Sequence, residues 1–374
     1  MKRKFRKISV IFFIISINVF AQNNAENYYK SGMVNNQSGY FEEAMEDYNK
    51  AIEINPNYFE VYLNRGSLKQ YLQDYRGAFK DYTKAIEINP KYGPAYLNFG
   101  DLKNILKDYS GAIQDYNEAL KINPRYFYAY IGRGKSKSEL KDYRGAIQDY
   151  TKAIEVNPNN ALAYSNRGFA KSKLSDYKGA IKDYNKAIKI EPDNVFYYSF
   201  RGDAKRFLKD YNGAINDYSI AIKIDNEDRY SYTNRGIAKH GLGNYRGAIQ
   251  DFTEAIEIDP NDAYTYDKRG DAKYEISDFE GALQDYDKAI EVGPNNSSVY
   301  FHRGYYRYQQ KEYRIAINDF NHAIEIDPNE NNSYGVRGLC KYAIGDKNGA
   351  CFDWSKAGEL GDIKAYDMIK KYCK

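Results

Sequence analysis

Histidine and cysteine are the scarcest reactive groups in this 374-residue chain, three of each: His240, His302 and His322, and Cys340, Cys351 and Cys373. A zinc-type centre needs three or four such ligands converging on one point. His302 and His322 share one stretch, but neither Cys nor clustered carboxylates accompany them. His240 stands too far upstream to be expected in the same compact site. Gly241-Leu242-Gly243 looks like a fragment of a phosphate loop, yet no strand pattern precedes it. No nucleophile–base arrangement is visible. The expectation is a chain without catalytic residues, metal or cofactor.

The cysteines all fall late. Cys351 lies in what reads as the last helix pair and Cys373 in a terminal helix expected to fold back over it, so a Cys351–Cys373 disulfide would leave Cys340 over. Three unpaired, partly buried thiols are the other reading.

The elements that must carry these residues repeat. Asp74-Tyr75-Arg76-Gly77-Ala78 returns as Asp108-Tyr109-Ser110-Gly111-Ala112 and as Asp142-Tyr143-Arg144-Gly145-Ala146, at a constant step of 34. Ten units fit, starting at residues 25, 59, 93, 127, 161, 195, 229, 263, 297 and 331. In the second unit Tyr62, Gly66 and Leu72 mark one amphipathic helix, and Ala78, Phe79, Tyr82, Ala85 and Ile86 mark another. Gln73-Asp74 turns between them, and Asn89-Pro90 ends the second. No period-two alternation predicts a strand.

Small residues recur where two helices must meet. Unit position 8 is Gly from Gly32 to Gly338, position 20 is Ala from Ala44 to Ala350, and position 27 is Ala from Ala51 to Ala357. A glycine inside a helix costs about 1 kcal/mol relative to Ala, so one in every unit needs a packing reason. Aromatics stand around the close approach: Tyr at position 4 (Tyr28 to Tyr334) and Tyr, Phe or Trp at position 24 (Tyr48 to Trp354).

An aromatic at 4, Gly at 8, Ala at 20, an aromatic at 24, Ala at 27 and Pro at 32 resemble the tetratricopeptide repeat across residues 25–364. The resemblance implies an all-α fold, a right-handed α-solenoid of ten 34-residue helix–turn–helix repeats, with a concave groove lined mainly by first helices. Residues 365–374, where Ala365, Met368, Ile369 and Tyr372 form one apolar stripe, read as a C-terminal capping helix.

The chain departs from that family at position 7, which is Arg in eight units, and at position 11, which is Lys or Arg in nine. Position 23 is Asp in all ten, from Asp47 to Asp353. In an antiparallel pair turning near position 15, positions 7 and 23 stand level, which predicts a ladder of pairs such as Arg65–Asp81 and Arg201–Asp217. The functional alternative is a basic stripe that reads anionic ligands.

The resemblance also implies that positions 2, 5, 9, 12 and 13 of the first helix read partners. The variable residues there are Tyr128 at position 2; Ser165, Thr233 and Asp267 at position 5; Phe169, Asp203, Asp271 and Tyr305 at position 9; and Arg206, His240, Tyr274 and Tyr308 at position 12. They form the expected partner groove, although drift on an unused surface gives the same diversity. The clamp for a C-terminal carboxylate, which resembles Lys at 5 with Asn at 9, is absent. Tyrosine, 41 residues in all, combines apolar area with a hydroxyl and suits a binding surface.

Residues 1–21 stand apart. Lys2, Arg3, Lys4, Arg6 and Lys7 precede an apolar run from Ile8 to Phe20, and Val19-Phe20-Ala21 fits a signal-peptidase site, so export with cleavage after Ala21 is expected. The run is short for a bilayer span, which needs about 20 residues, and an uncleaved N-terminal anchor is the other reading. Without those five basic residues, 55 basic charges become 50 against 51 acidic, a net of −1. Such a balance predicts neither nucleic-acid binding nor attraction to an anionic membrane. The expected function is a non-catalytic scaffold for a protein or peptide in a bacterial cell envelope, periplasmic or secreted. A structural spacer that self-associates is the alternative.

Overall fold

The computed structural model describes residues 24–373; the expected signal peptide, 1–21, lies outside the described residues. Those residues form 21 helices and no strand, in two compact units, the chain passing from one to the other between Glu191 and Pro192. The first unit opens with a helix at 24–37 and continues to Tyr177–Ile190. The second runs from Val195–Phe207 to Ile363–Tyr372. In each unit the pairs stack in series, as in an all-α solenoid: second helices pack on the first helices that follow, and successive first helices also touch.

A typical pair is Phe59–Tyr71 with Tyr75–Ile88. The turn between them is built by local chemistry. Gln73 adopts φ 63°, its N–H bonds the Gln70 carbonyl at 3.0 Å, and the Asp74 N–H reaches back to the Lys69 carbonyl at 2.8 Å. That is the left-handed termination that satisfies the last carbonyls of a helix. Lys107, Lys141, Ser175, Lys209, Ser277 and Lys311 repeat it at φ 62–63°, and Gly243 at 73°. Gly241-Leu242-Gly243 is therefore a helix terminus and turn. Asp74 then caps the second helix, accepting from the Gly77 N–H at 2.9 Å. The same cap recurs at Asp108, Asp142, Asp176, Asp210, Asn244, Asp278 and Asp346.

The close approach is real. Ala78 and Ala85 are fully buried, and a methyl group on Gly66 would lie 2.9 Å from the Tyr82 ring, so the ring crosses the first helix only because no side chain stands there. Position 24 supplies the large buried side chains Tyr48, Tyr82, Tyr116, Tyr184, Tyr218, Phe252, Phe320 and Trp354.

The last helix begins at Ile363, two residues ahead of the expected 365. Ala365 is buried, and Met368, Ile369 and Tyr372 pack on the core around Trp354. Cys373 is bonded to Cys351 with Cα atoms 5.8 Å apart, and Cys340 is the buried free thiol.

Candidate functional site

The expected Arg–Asp pairs form along both units. Arg65 Nε and Nη2 donate to the two carboxylate oxygens of Asp81 at 2.9 and 2.7 Å, and the same fork joins Arg167 to Asp183, Arg235 to Asp251, Arg269 to Asp285 and Arg337 to Asp353. Arg133–Asp149, Arg201–Asp217 and Arg303–Asp319 pair likewise. Sequence reasoning missed two further parts. The Lys or Arg at position 11 binds the same carboxylate, as Lys69 does Asp81 at 2.7 Å. The spare arginine nitrogen crosses to position 25 of the preceding repeat: Arg65 to Asn49 at 2.6 Å, Arg167 to Thr151 at 3.2 Å, Arg235 to Ser219 at 3.0 Å. Each guanidinium also lies over a position-4 ring, as Arg65 does over Tyr62 at 5.5 Å. These arginines are occupied by structure and form no open anion-reading stripe.

The exceptions follow the same physics. The first repeat has Ser31 and Asn35 at positions 7 and 11, and Asn35 donates to Asp47 at 2.9 Å. The third has Phe99 at position 7, packed edge-on against Phe79 at 4.8 Å, which leaves Asp115 with Lys103 alone, at 2.7 Å. Burial pushes the Asp115 carboxyl above its usual range, Lys103 opposing only in part.

The first helices of the first unit line an open groove of about 810 Å³, walled by Leu97, Ile105, Tyr128, Ile131, Leu162 and Phe169, with Asp101, Lys135 and Glu139 among them. Tyr128 is 70% exposed, and Phe169 is exposed too. The Tyr116 hydroxyl donates to Asp101 at 2.6 Å, and burial raises the Asp101 carboxyl pKa despite that bond.

Position 5 is a correction. Ser165, Thr233 and Asp267 are buried and present no open surface. First helices of successive repeats touch at this level: Ser199 Oγ meets Ser231 Oγ at 2.8 Å, and Thr233 Oγ1 meets Thr265 Oγ1 at 3.1 Å. A residue here reads the next repeat before it can read a ligand.

In the second unit Asp203 is held by the hydroxyls of Tyr218, at 2.8 Å, and Tyr230, with Arg206 at 3.4 Å. A cavity of about 250 Å³ is lined by His240, Asp271, Tyr274, Glu275, Tyr286, His302 and Tyr305. Tyr308 stands beside it, 6.1 Å from the Tyr305 ring. His240 and His302, expected to stand apart, line one cavity, because the first helices Arg229–Gly241, Ala263–Glu275 and Ser297–Gln309 border the same space, although His240 does not join the close ligand group around His302.

At the wall of that cavity carboxylates do cluster around a histidine, contrary to the sequence reading. His302 Nδ1 lies 2.7 Å from Asp267 Oδ1 and 3.2 Å from Asp271 Oδ1. Lys268 Nζ bridges the other oxygens, at 2.9 Å from each carboxylate. Asp267 is 1% exposed. Burial opposes the imidazolium, but the two aspartates outweigh it and hold the His302 pKa above its ordinary value. Burial would raise the Asp267 carboxyl, and His302 with Lys268 pulls it down instead. His322 is elsewhere, on the surface, 3.3 Å from Glu325.

Among the described residues no helix is long and apolar enough to cross a membrane. No curated protein matches the chain. A tetratricopeptide repeat protein from Parabacteroides merdae is similar in structure at 21% identity and a TM-score of 0.51, over 67% of this chain and 99% of that one. The APC/C hetero-tetramer Cut9–Hcn1 is similar at 15% identity and 0.53, over 94% and 76%. YrrB, a TPR protein with an unusual peptide-binding site, is similar at 23% identity and 0.42, over 49% and 95%. Models of the TPR repeat match residues 32–70, 100–140, 138–175 and 270–311, and models of the tetratricopeptide repeat match 59–92, 161–194, 230–262 and 297–330. With the 34-residue register, the paired helices and these matches in agreement, the chain belongs to the tetratricopeptide repeat family, whose members are protein-interaction scaffolds.

Proposed function

We propose that this protein is a non-catalytic scaffold of the bacterial cell envelope that holds a protein or peptide partner against its first helices. The observation that carries the reading is the 810 Å³ groove of the first unit, where Tyr128, Phe169, Leu162 and Ile105 stay exposed on the stacked first helices. Exposed aromatics grouped on one face mark interaction sites, and aromatic anchors carry most interface energy, about 2 kcal/mol or more each. The groove mixes apolar walls with Asp101, Lys135 and Glu139, so it suits an extended segment with alternating apolar and charged side chains. Retention of envelope proteins by the immobilised chain tests this. Tyr128→Ala with Phe169→Ala should release the partner at least tenfold more easily with helicity unchanged, and undiminished retention would refute the groove. Export is part of the proposal: the mature chain should begin at Gln22 in an envelope fraction, and a cytoplasmic chain that keeps residues 1–21 would refute it.

The spacer reading has its own support in Phe352, Ile363 and Tyr366, all exposed on the last two helices. Sedimentation separates it: a concentration-dependent oligomer lost on Phe352→Ser with Ile363→Ser favours self-association.

A further inference from the structure

We propose that Asp267, Asp271 and His302 form a binding site for one divalent first-row transition-metal ion of the Zn²⁺ class. Asp267 and Asp271 are one helical turn apart on Ala263–Glu275, so both carboxylates leave the same face. His302 comes from the first helix of the next repeat, Ser297–Gln309. One carboxylate oxygen from each aspartate and one imidazole nitrogen lie within 4.8 Å of one another. In a tetrahedral site with bonds of about 2.0–2.2 Å, ligand atoms stand about 3.4 Å apart; the two separations to His302 Nδ1, 2.7 and 3.2 Å, fall just under that, and the two carboxylate oxygens lie within 4.8 Å of each other.

Charge supports the assignment. Position 5 elsewhere in this unit carries buried hydroxyls such as Ser199 and Thr233, whereas here it carries a carboxylate that is almost wholly buried. Burying that charge is costly without partners. Lys268 holds the Oδ2 side of both carboxylates, so the ion would take the Oδ1 edge in place of the His302 Nδ1 proton, which is released to solvent on binding. The Tyr286 hydroxyl donates to Asp271 Oδ1 at 3.1 Å and orients it as an outer-shell partner would.

A second observation points to the same place. His240 Nε2 is buried, has no hydrogen-bond partner among the described residues, and belongs to a side chain lining the cavity that His302 and Asp271 also line. An ion on three protein ligands leaves its fourth position to water or to an incoming group, and this cavity gives that position room. Imidazole in the set selects for Zn²⁺-class ions over Mg²⁺ and Ca²⁺, which take oxygen ligands. The ion would staple two successive first helices at the centre of the second unit's variable surface.

Calorimetric titration of the full chain with Zn²⁺, after chelator treatment, tests the proposal. One ion per chain should bind saturably, and Mg²⁺ at the same concentration should not compete. Asp271→Asn and His302→Gln remove direct ligands and should each weaken Zn²⁺ binding by at least the roughly 10–100-fold that loss of an outer-shell partner costs, with helical circular dichroism preserved, while His322→Gln leaves it unchanged. Hydrogen exchange of the unmodified chain is the check that needs no variant: Zn²⁺ should slow exchange in 263–275 and 297–309. Absence of saturable binding, binding that survives His302→Gln, or protection confined to other segments would overturn the site. Partner retention in the first unit's groove is read independently, so either proposal can fail alone.

Discussion

Replacing Lys103 by Met puts the ladder to its sharpest test, because Asp115 has no arginine to fall back on. Lys103 Nζ lies 2.7 Å from Asp115 Oδ2, both side chains are largely buried, and Phe99 occupies the place of the arginine. Methionine keeps most of the stem volume, so packing over the Phe99 ring, which Lys103 Nζ approaches to 4.1 Å, is little changed. An uncompensated buried carboxylate costs about 3–5 kcal/mol. Protonation caps that penalty: lifting a carboxyl from its usual pKa of about 3.9 to neutrality at pH 7 costs about 4 kcal/mol, at about 1.4 kcal/mol per unit. The variant should therefore lose up to about 4 kcal/mol at pH 7 and only about 1.5 at pH 5. The sign is that of an acid whose folded pKa is raised: no penalty lies below the unfolded pKa, and stability falls as pH climbs from there towards the folded pKa. Burial already pushes this carboxyl upward in the parent, so the slope exists before mutation and steepens after it. Lys137→Met is the internal reference, since Asp149 keeps the Arg133 fork; its loss should be about 1–1.5 kcal/mol and nearly flat with pH. Stacked repeats open locally, so hydrogen exchange across 93–126 and 127–160, at pH 5 and pH 7, is the assay. Equal losses in the two variants, or a Lys103→Met effect that grows as pH falls, would refute the reasoning.

Reducing the Cys351–Cys373 bond opens a loop of 22 residues and should cost about 3 kcal/mol, felt in the final helix pair and Ile363–Tyr372. Exchange of 347–372 should accelerate about a hundredfold in reductant while the first unit is unchanged, and indifference to reductant would contradict it. Asp142→Ala removes the cap on the Gly145 N–H and should cost about 1 kcal/mol. A methyl on Gly145 would displace the Asp142 carboxylate from its cap, so Gly145→Ala alone loses the cap bond, yet Asp142→Ala with Gly145→Ala should recover about 1 kcal/mol of helix propensity by thermal melt.

Much of the molecule was legible in one dimension because each repeat meets itself at fixed intervals. Gly at position 8 and Ala at 20 and 27 announce a close helix pair, and adding indices across the turn was enough to put Arg65 beside Asp81. The cap at Asp74 has a signal too: an Asp or Asn three residues ahead of a Gly amide in eight of the ten repeated turns. The Lys or Arg at position 11 also has a signal: it lies one helical turn from position 7, where most repeats carry Arg, and faces the same Asp.

What the linear order could settle was therefore anything inside one helix pair, where 3.6 residues per turn and a fixed turn leave a single register. What it could not settle lies between pairs. The burial of Ser165, Thr233 and Asp267 depends on how one first helix leans on the next, and the cavity that His240 and His302 both line depends on three such helices bordering one space. Those angles come from side chains packing across repeats, a sum of many small contacts with no spacing rule of its own. Only the tertiary structure decides them.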